Sequence, residues 1–340
     1  MPPLAEALIR HVPEDFRVEE IPAYAAAGEG EHLFVTFRKT DLTTLEAVRR
    51  IARALGADAR AAGFAGMKDR HAITTQTASF QLPLDRDPAP ELSKPIDGIE
   101  VLAWQRHRHK LKTGHLRGNR FSIGMRRVSL DARGSIDEAL ARIAARGVPN
   151  AFGVQRFGRD GDNAELALRW LRGEARPPRG KKEQRFLFSA LQSQLFNRVL
   201  ERREQDGTWC TVVVGDIAQK RDTGGLFDVE DPELEQARAE RGEISATGPM
   251  FGARMRWPHA AVADLEREVL GEAGIGDALD AHRALGEGTR RTLRLWVEEL
   301  TWQWSDEEPY LAVQFVLPKG GYATTVLSRA FRLVDPYANP

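Results

Sequence analysis

The sequence predicts an α+β protein of two domains, and three observations carry that expectation. Runs rich in β-branched and aromatic residues lie toward both ends of the chain, at 15–21, 32–37, 74–82, 302–304 and 311–317. Helical periodicity lies elsewhere, most clearly at 45–55, 136–146 and 183–203. The 340 residues, 42% of them hydrophobic, are enough for about two domains of ~100–200 residues with a sizeable core. Lys plus Arg and Asp plus Glu both number 49, so only the distribution of charge, not its sum, can argue for a nucleic-acid partner. The single cysteine, Cys210, excludes an intramolecular disulfide and a multi-cysteine metal site. There is no basic N-terminal segment followed by a long apolar run, and no run of ~18 apolar residues. A soluble cytoplasmic protein is expected.

Taken in order, 15–21 and 32–37 read as strands around a Gly28-Glu29-Gly30-Glu31 turn. By residue type Phe16 is a core residue. Thr43 or Thr44 caps a helix whose apolar stripe is Leu45, Val48, Ile51, Ala52 and Leu55, and Gly56 ends it. A loop then carries Gly63, Gly66, Lys68, Asp69 and Arg70, and a Thr-rich strand follows from 74 to 82. Residues 101–130 contain no Asp or Glu but hold Arg106, Arg108, Lys110, Lys112, Arg117, Arg120, Arg126 and Arg127. The first four are spaced by two, so an extended strand would put them on one face, suited to RNA phosphates. His107 and His109 have no carboxylate or cysteine near them in sequence, so no metal site is expected there.

A helix at 136–146 ends at Gly147 and leads to Asn150-Ala151-Phe152-Gly153, where Phe152 between small residues reads either as a base-stacking platform or as a buried Phe at a β-bulge. Residues 164–172 are helical, 172–182 form a basic linker, and the long helix of 183–203 has Phe186, Ala190, Leu191, Leu195, Val199 and Leu200 on its buried side. Residues 211–216 read as a strand, 228–243 as an acidic segment facing away from RNA, and 247–252 as a turn. Helical pieces follow from 262 to 284, then the strands at 302–304 and 311–317. Gly180-Lys181 is not a phosphate-binding loop, and the chain has no GxGxxG, HExxH or GxSxG motif.

The centre of the chemistry is Asp69. Cations on both sides, Lys68 and Arg70, favour its ionised form, which suits a nucleophile or a base rather than an acid. By charge pattern alone the favoured reading of the same loop is a solvated Lys-Asp-Arg turn. The motif Gly66-Met67-Lys68-Asp69-Arg70-His71-Ala72-x-Thr74-x-Gln76 resembles the central motif of the TruD-type tRNA pseudouridine synthases. Three further stretches match that family in the same order: 13–20 (PEDFRVEE), 148–158 (VPNAFGVQRFG) and 317–324 (LPKGGYAT). The resemblance covers essentially the whole chain.

The resemblance implies a pseudouridine synthase catalytic domain with a mixed, mainly antiparallel sheet, at 1–174 and 297–340, and an inserted α/β domain, the TRUD domain, at 175–296. It implies a tRNA substrate, with the target uridine at position thirteen in the D-arm, and Asp69 as the catalytic carboxylate. Phe16, Asn150, Phe152 and Tyr322 would contact the nucleotide, and Lys68 and Arg70 would orient Asp69 or bind phosphate. Ala151 stands where the family has a larger residue, which puts any contact by that side chain in doubt. Tyr322 stands where the family commonly has Phe, and adds a hydroxyl. No cofactor, metal or membrane is implied, and a monomer is expected. The alternative is a catalytically silent RNA-binding or RNA-folding protein.

Overall fold

A computed structural model describes residues 4–158 and 160–337. Up to Ala144 the elements are β1 (Ala5–Leu8), β2 (Phe16–Pro22), β3 (His32–Thr40), α1 (Thr44–Leu55), β4 (Gly63–Phe64), β5 (Ile73–Gln81), α2 (Ala89–Leu92), β6 (Ile99–His107), β7 (Leu116–Arg126) and most of α3 (Arg133–Arg146). Residues 145–296 add β8 (Val148–Pro149), α4 (Asn163–Leu171), α5 (Lys181–Gln205), β9 (Ile217–Lys220), β10 (Leu226–Asp228), α6 (Pro232–Glu240), β11 (Ile244–Met250), α7 (Ala260–Ala273), α8 (Gly276–Ala281), β12 (Thr289–Thr292) and β13 (Arg294–Leu295). From Val297 the chain rejoins the first unit with β14 (Glu298–Trp304), β15 (Tyr310–Pro318), α9 (Ala323–Leu327) and β16 (Phe331–Val334).

The first unit is built on one sheet of order β14-β15-β7-β2-β5-β3-β6, with β1, β16 and β4 paired at its margins. The pairs β2–β5 and β1–β16 are parallel and the rest antiparallel, so the sheet is mixed and mainly antiparallel. Helix α1 packs on it because Ala47, Val48, Ile51, Ala52 and Leu55 form one buried stripe against Leu33, Val35, Phe37, Ala78 and Phe80. Leu45, expected in that stripe, is exposed. Thr43 and Glu46 cap the helix reciprocally, and Gly56 ends it with φ 61°.

The second unit has an antiparallel sheet of order β10-β9-β11-β12, a β13–β8 pair and the long α5. Compactness divides the chain at Ala145 rather than at 175, because β8 pairs with β13 and α4 shares an apolar core with α5 and α7. The first unit resumes at Val297. Residues 211–216 do not form the expected strand. Gly215 has φ 89°, and the buried Asp216 accepts from Val213 N–H at 2.9 Å and pairs with Arg203, which folds the segment into a turn. The turn expected at 247–252 is largely strand β11, whose Thr247–Met250 pairs with β12. Phe186 faces outward on α5, while its neighbours Leu187 and Phe188 are buried. No helix among the described residues is long and apolar enough to cross a membrane.

Candidate active site

The loop between β4 and β5 presents Asp69 at the surface, with its side chain 58% exposed. Its approach from β4 needs Gly63, where a Cβ would run into the Leu111 carbonyl. The loop is then tied down from three sides. Lys68 N–H donates to Thr44 Oγ1 at 2.9 Å, and that hydroxyl donates to Gln76 Oε1 at 3.2 Å. The Lys68 side chain turns inward and meets Glu20 at 2.6 Å, both side chains buried, while Glu20 also accepts from Thr77 N–H. His71 lies 2.9 Å from Asp41 and stacks on Tyr337 with centroids 3.7 Å apart. Arg70 stays exposed.

The cation that meets the Asp69 carboxylate is Arg10, just beyond β1. Its Nη2 donates to Asp69 Oδ2 at 2.9 Å and its Nη1 to Asp335 Oδ2 at 2.6 Å. The same guanidinium lies 4.1 Å above the ring of Phe16. Phe16 is 1% exposed and edge-on to Phe121, as its residue type predicted. Its ring therefore supports Arg10 from beneath. Beneath the loop, fully buried Lys39 donates to the Asp69 carbonyl at 2.6 Å. Sequence reasoning missed both Arg10 and Lys39. The signals were an isolated Arg after a short strand and a Lys beside Arg38 at the end of another, and neither reveals its partner.

Tyr322, the N-cap residue of α9, is 42% exposed. A groove of about 380 Å³ beside the Lys68–Glu20 pair is lined by Glu19, Glu20, Arg117, Arg120 and Glu299 among others. In this groove Arg120 pairs with Glu299 at 3.1 Å.

In the second unit Asn150 and Phe152 stand close in a short segment that is held tightly. Asn150 Nδ2 donates to the Thr292 carbonyl at 2.8 Å, and its Oδ1 accepts from Arg291 at 2.5 Å. The half-buried Phe152 has the Arg291 guanidinium 4.1 Å over its ring and Phe196 edge-on at 5.6 Å. Asn197 of α5 clamps the Phe152 peptide, accepting from its N–H at 2.8 Å and donating to its C=O at 2.9 Å. Asn197 was not legible either, since nothing distinguishes it from other polar residues of a long helix.

The basic stretch departs from the expected single face. Strand β6 ends at His107, so 108–115 is not extended. Arg106 is consumed by the carbonyls of Leu82, Pro83 and Arg86 at 2.7–2.8 Å. Arg108 pairs with Glu29, while Lys110 and Lys112 make no ion pair among the described residues. Among the described residues no three His, Cys, Asp or Glu gather so as to hold a metal.

The mixed sheet, with an aspartate presented on a surface loop and a second unit inserted between β7–α3 and β14, is the architecture of a pseudouridine synthase fold. A solved structure from Methanosarcina mazei, described as tRNA pseudouridine synthase D, superposes with a TM-score of 0.76 over 98% of this chain and 95% of that one, at 24% identity. The family model of tRNA pseudouridine synthase D (TruD) matches residues 3–176 and 180–330. Proteins named tRNA pseudouridine synthase D are 45% identical in an Anaeromyxobacter species (strain Fw109-5), covering 94% of this chain and 90% of the relative, and 40% identical in Thermus thermophilus, covering 96% and 88%. The one from Geobacter sulfurreducens is 39% identical, covering 96% and 94%. The chain belongs to the tRNA pseudouridine synthase D family.

Proposed function

We propose that this chain is an isomerase that converts one uridine of tRNA, at position thirteen in the D-arm, to pseudouridine, with Asp69 as the reacting carboxylate. The observation that carries the reading is Asp69 itself: its carboxylate faces solvent on one side and Arg10 on the other, while its peptide is tied down from beneath. Family membership supplies the reaction.

The reaction breaks the bond from uracil N1 to ribose C1′, turns the base and joins C5 to C1′; the proton lost from C5 is balanced by one gained at N1. It is redox-neutral, so residues alone can run it. Two routes use an ionised carboxylate beside the sugar: attack on C1′, or removal of the C2′ proton to give a glycal. In both, the base must leave the RNA stack and be held on aromatic surfaces. In the first unit Tyr322 offers an exposed ring for this; in the second, taken by itself, Phe152 carries a half-exposed ring on which a base of the RNA can stack. Asn150, whose amide is already engaged by Thr292 and Arg291, orders the Phe152 segment and reaches the nucleotide only by exchanging a partner. Phe16 acts from below, holding Arg10 against Asp69. Lys68 stiffens the loop through Glu20, which leaves exposed Arg70 for phosphate, together with Lys110 and Lys112 and more weakly the paired Arg108. Arg106 supports the fold beneath them. The first unit is the catalytic domain and the second the family's inserted domain. The chain acts as a monomer.

The test is Asp69→Asn, which keeps the side chain's shape and removes its charge. Binding of tRNA should change little while single-turnover pseudouridine yield, mapped by carbodiimide-dependent primer-extension stops, falls to background. Product at the wild-type rate would remove Asp69 from the mechanism. Tight tRNA binding without product by the wild-type protein would favour a catalytically silent RNA-binding protein.

A further inference from the structure

Lys39 is a fully buried lysine near the end of β3, between Thr74 of β5 and Ile99 of the edge strand β6. A neutral side chain of the same length would fill that place without the desolvation that a buried ammonium suffers. Among the described residues Lys39 makes no ion pair that would offset it. Its Nζ instead donates, at 2.6 Å, to the backbone carbonyl of Asp69. The charged groups around it are spoken for. Asp41, just past β3, meets His71; Glu46 on α1 completes the cap with Thr43; Lys68 on the loop pairs with Glu20; the Asp69 carboxylate faces Arg10.

We propose that Lys39 is a positioning residue: its buried ammonium grips the Asp69 carbonyl and so fixes the peptide from which the reacting carboxylate projects. This rests on Asp69 being that carboxylate. The other ties hold the loop at Ala65, Lys68, His71 and Ala72, on either side of Asp69. Among the described residues Lys39 alone grips the Asp69 peptide, and a shift of about 1 Å in a reacting group is enough to slow a reaction about a hundred-fold.

The proposal separates from a fold-holding role by the sign of its stability effect. Burial lowers the Lys39 pKa to about 8 from the usual 10.5; Asp69, Asp41 and Glu46 act to raise it, and Lys68 to lower it. Because the folded value lies below the unfolded one, charged Lys39 weakens the native state at neutral pH. That deficit shrinks as pH rises from about 8 toward 10.5, where the native state has released the proton and the unfolded chain has not.

The experiment compares full-length wild type, Lys39→Met, Lys39→Gln and Asp69→Asn for thermal midpoint, tRNA affinity and single-turnover rate between pH 6 and about 9.5. At neutral pH the Lys39→Met midpoint should equal or exceed that of wild type. Its tRNA affinity should stay within about two-fold, and its turnover should fall about ten- to a hundred-fold. The wild-type rate should decline above about pH 8 as the ammonium is lost, and neither Lys39 variant should show that decline. Early melting of both Lys39 variants would make the residue a structural one and overturn the proposal. So would wild-type turnover by either folded variant while Asp69→Asn is inactive. Wild-type turnover by Asp69→Asn would instead remove the reading of Asp69 on which the proposal rests.

Discussion

Arg10 joins three groups that lie far apart in the chain: the Asp69 carboxylate, the Asp335 carboxylate and the ring of Phe16. Its backbone sits at φ 55°, a region a non-glycine residue seldom occupies, so the surrounding contacts must hold it there. Replacing it with Met keeps much of the length and removes the charge. Stability should fall by about 1–2 kcal/mol, mainly through the half-buried Asp335, which keeps the Tyr337 N–H but loses its charged donor, because the Asp69 pair is too exposed to add much. The catalytic effect should be larger than the stability effect. Urea melts and single-turnover yields on Arg10→Met check both, and a wild-type yield would show that Asp69 does not depend on this partner.

At the scale of elements, the end of β6 divides the basic stretch into two kinds of cation. Arg106 bridges three carbonyls between 82 and 86 and holds the connection after β5. Arg106→Ala should therefore lower stability by about 1–3 kcal/mol, from the loss of its three hydrogen bonds to part-buried and exposed carbonyls, and leave the salt dependence of tRNA binding unchanged. Lys110 and Lys112 lie beyond the strand and make no ion pair among the described residues. The Lys110→Ala and Lys112→Ala changes together should flatten the log-log salt slope by about 0.7–0.9 for each phosphate no longer neutralised, and shift stability by no more than about 0.5 kcal/mol. Salt titrations of tRNA binding separate the two cases, and an unchanged slope in the Lys110/Lys112 pair would assign that loop to solvent.

Over the whole molecule each unit carries its own core and its own buried ion pairs. In the second unit Arg290 meets Glu266 through two bonds of 2.7 Å, with both side chains essentially without solvent. Burial raises the Glu266 pKa while Arg290 opposes the rise. Removing one partner leaves the other charged and dry, so Glu266→Ala should destabilise this unit by about 3–5 kcal/mol. Calorimetry should show the second unit melting early while the first keeps its transition; a loss below about 1 kcal/mol would mean that water reaches the freed Arg290.

Features that depend on near neighbours were legible in the amino-acid order. The Thr43–Glu46 cap and Gly56 stop of α1, the β-rich runs that became β2, β3, β5 and β15, and the burial of Phe16 follow from residue type and spacing. So does the placing of Asp69 on an exposed loop between glycine-led β4 and Thr-rich β5, and the four ordered motifs sufficed for the family. Who meets whom was settled only by the folded chain. Asp69 faces Arg10 rather than the adjacent Lys68, because Lys68 finds the buried Glu20 on the neighbouring β2. Lys39 reaches the Asp69 carbonyl because β3 runs beside β5, and Arg106 leaves the cationic face because carbonyls 82 to 86 lie within its reach. Such partners are set by strand order and register, which bring distant residues within hydrogen-bond distance and leave no period in the sequence to announce them.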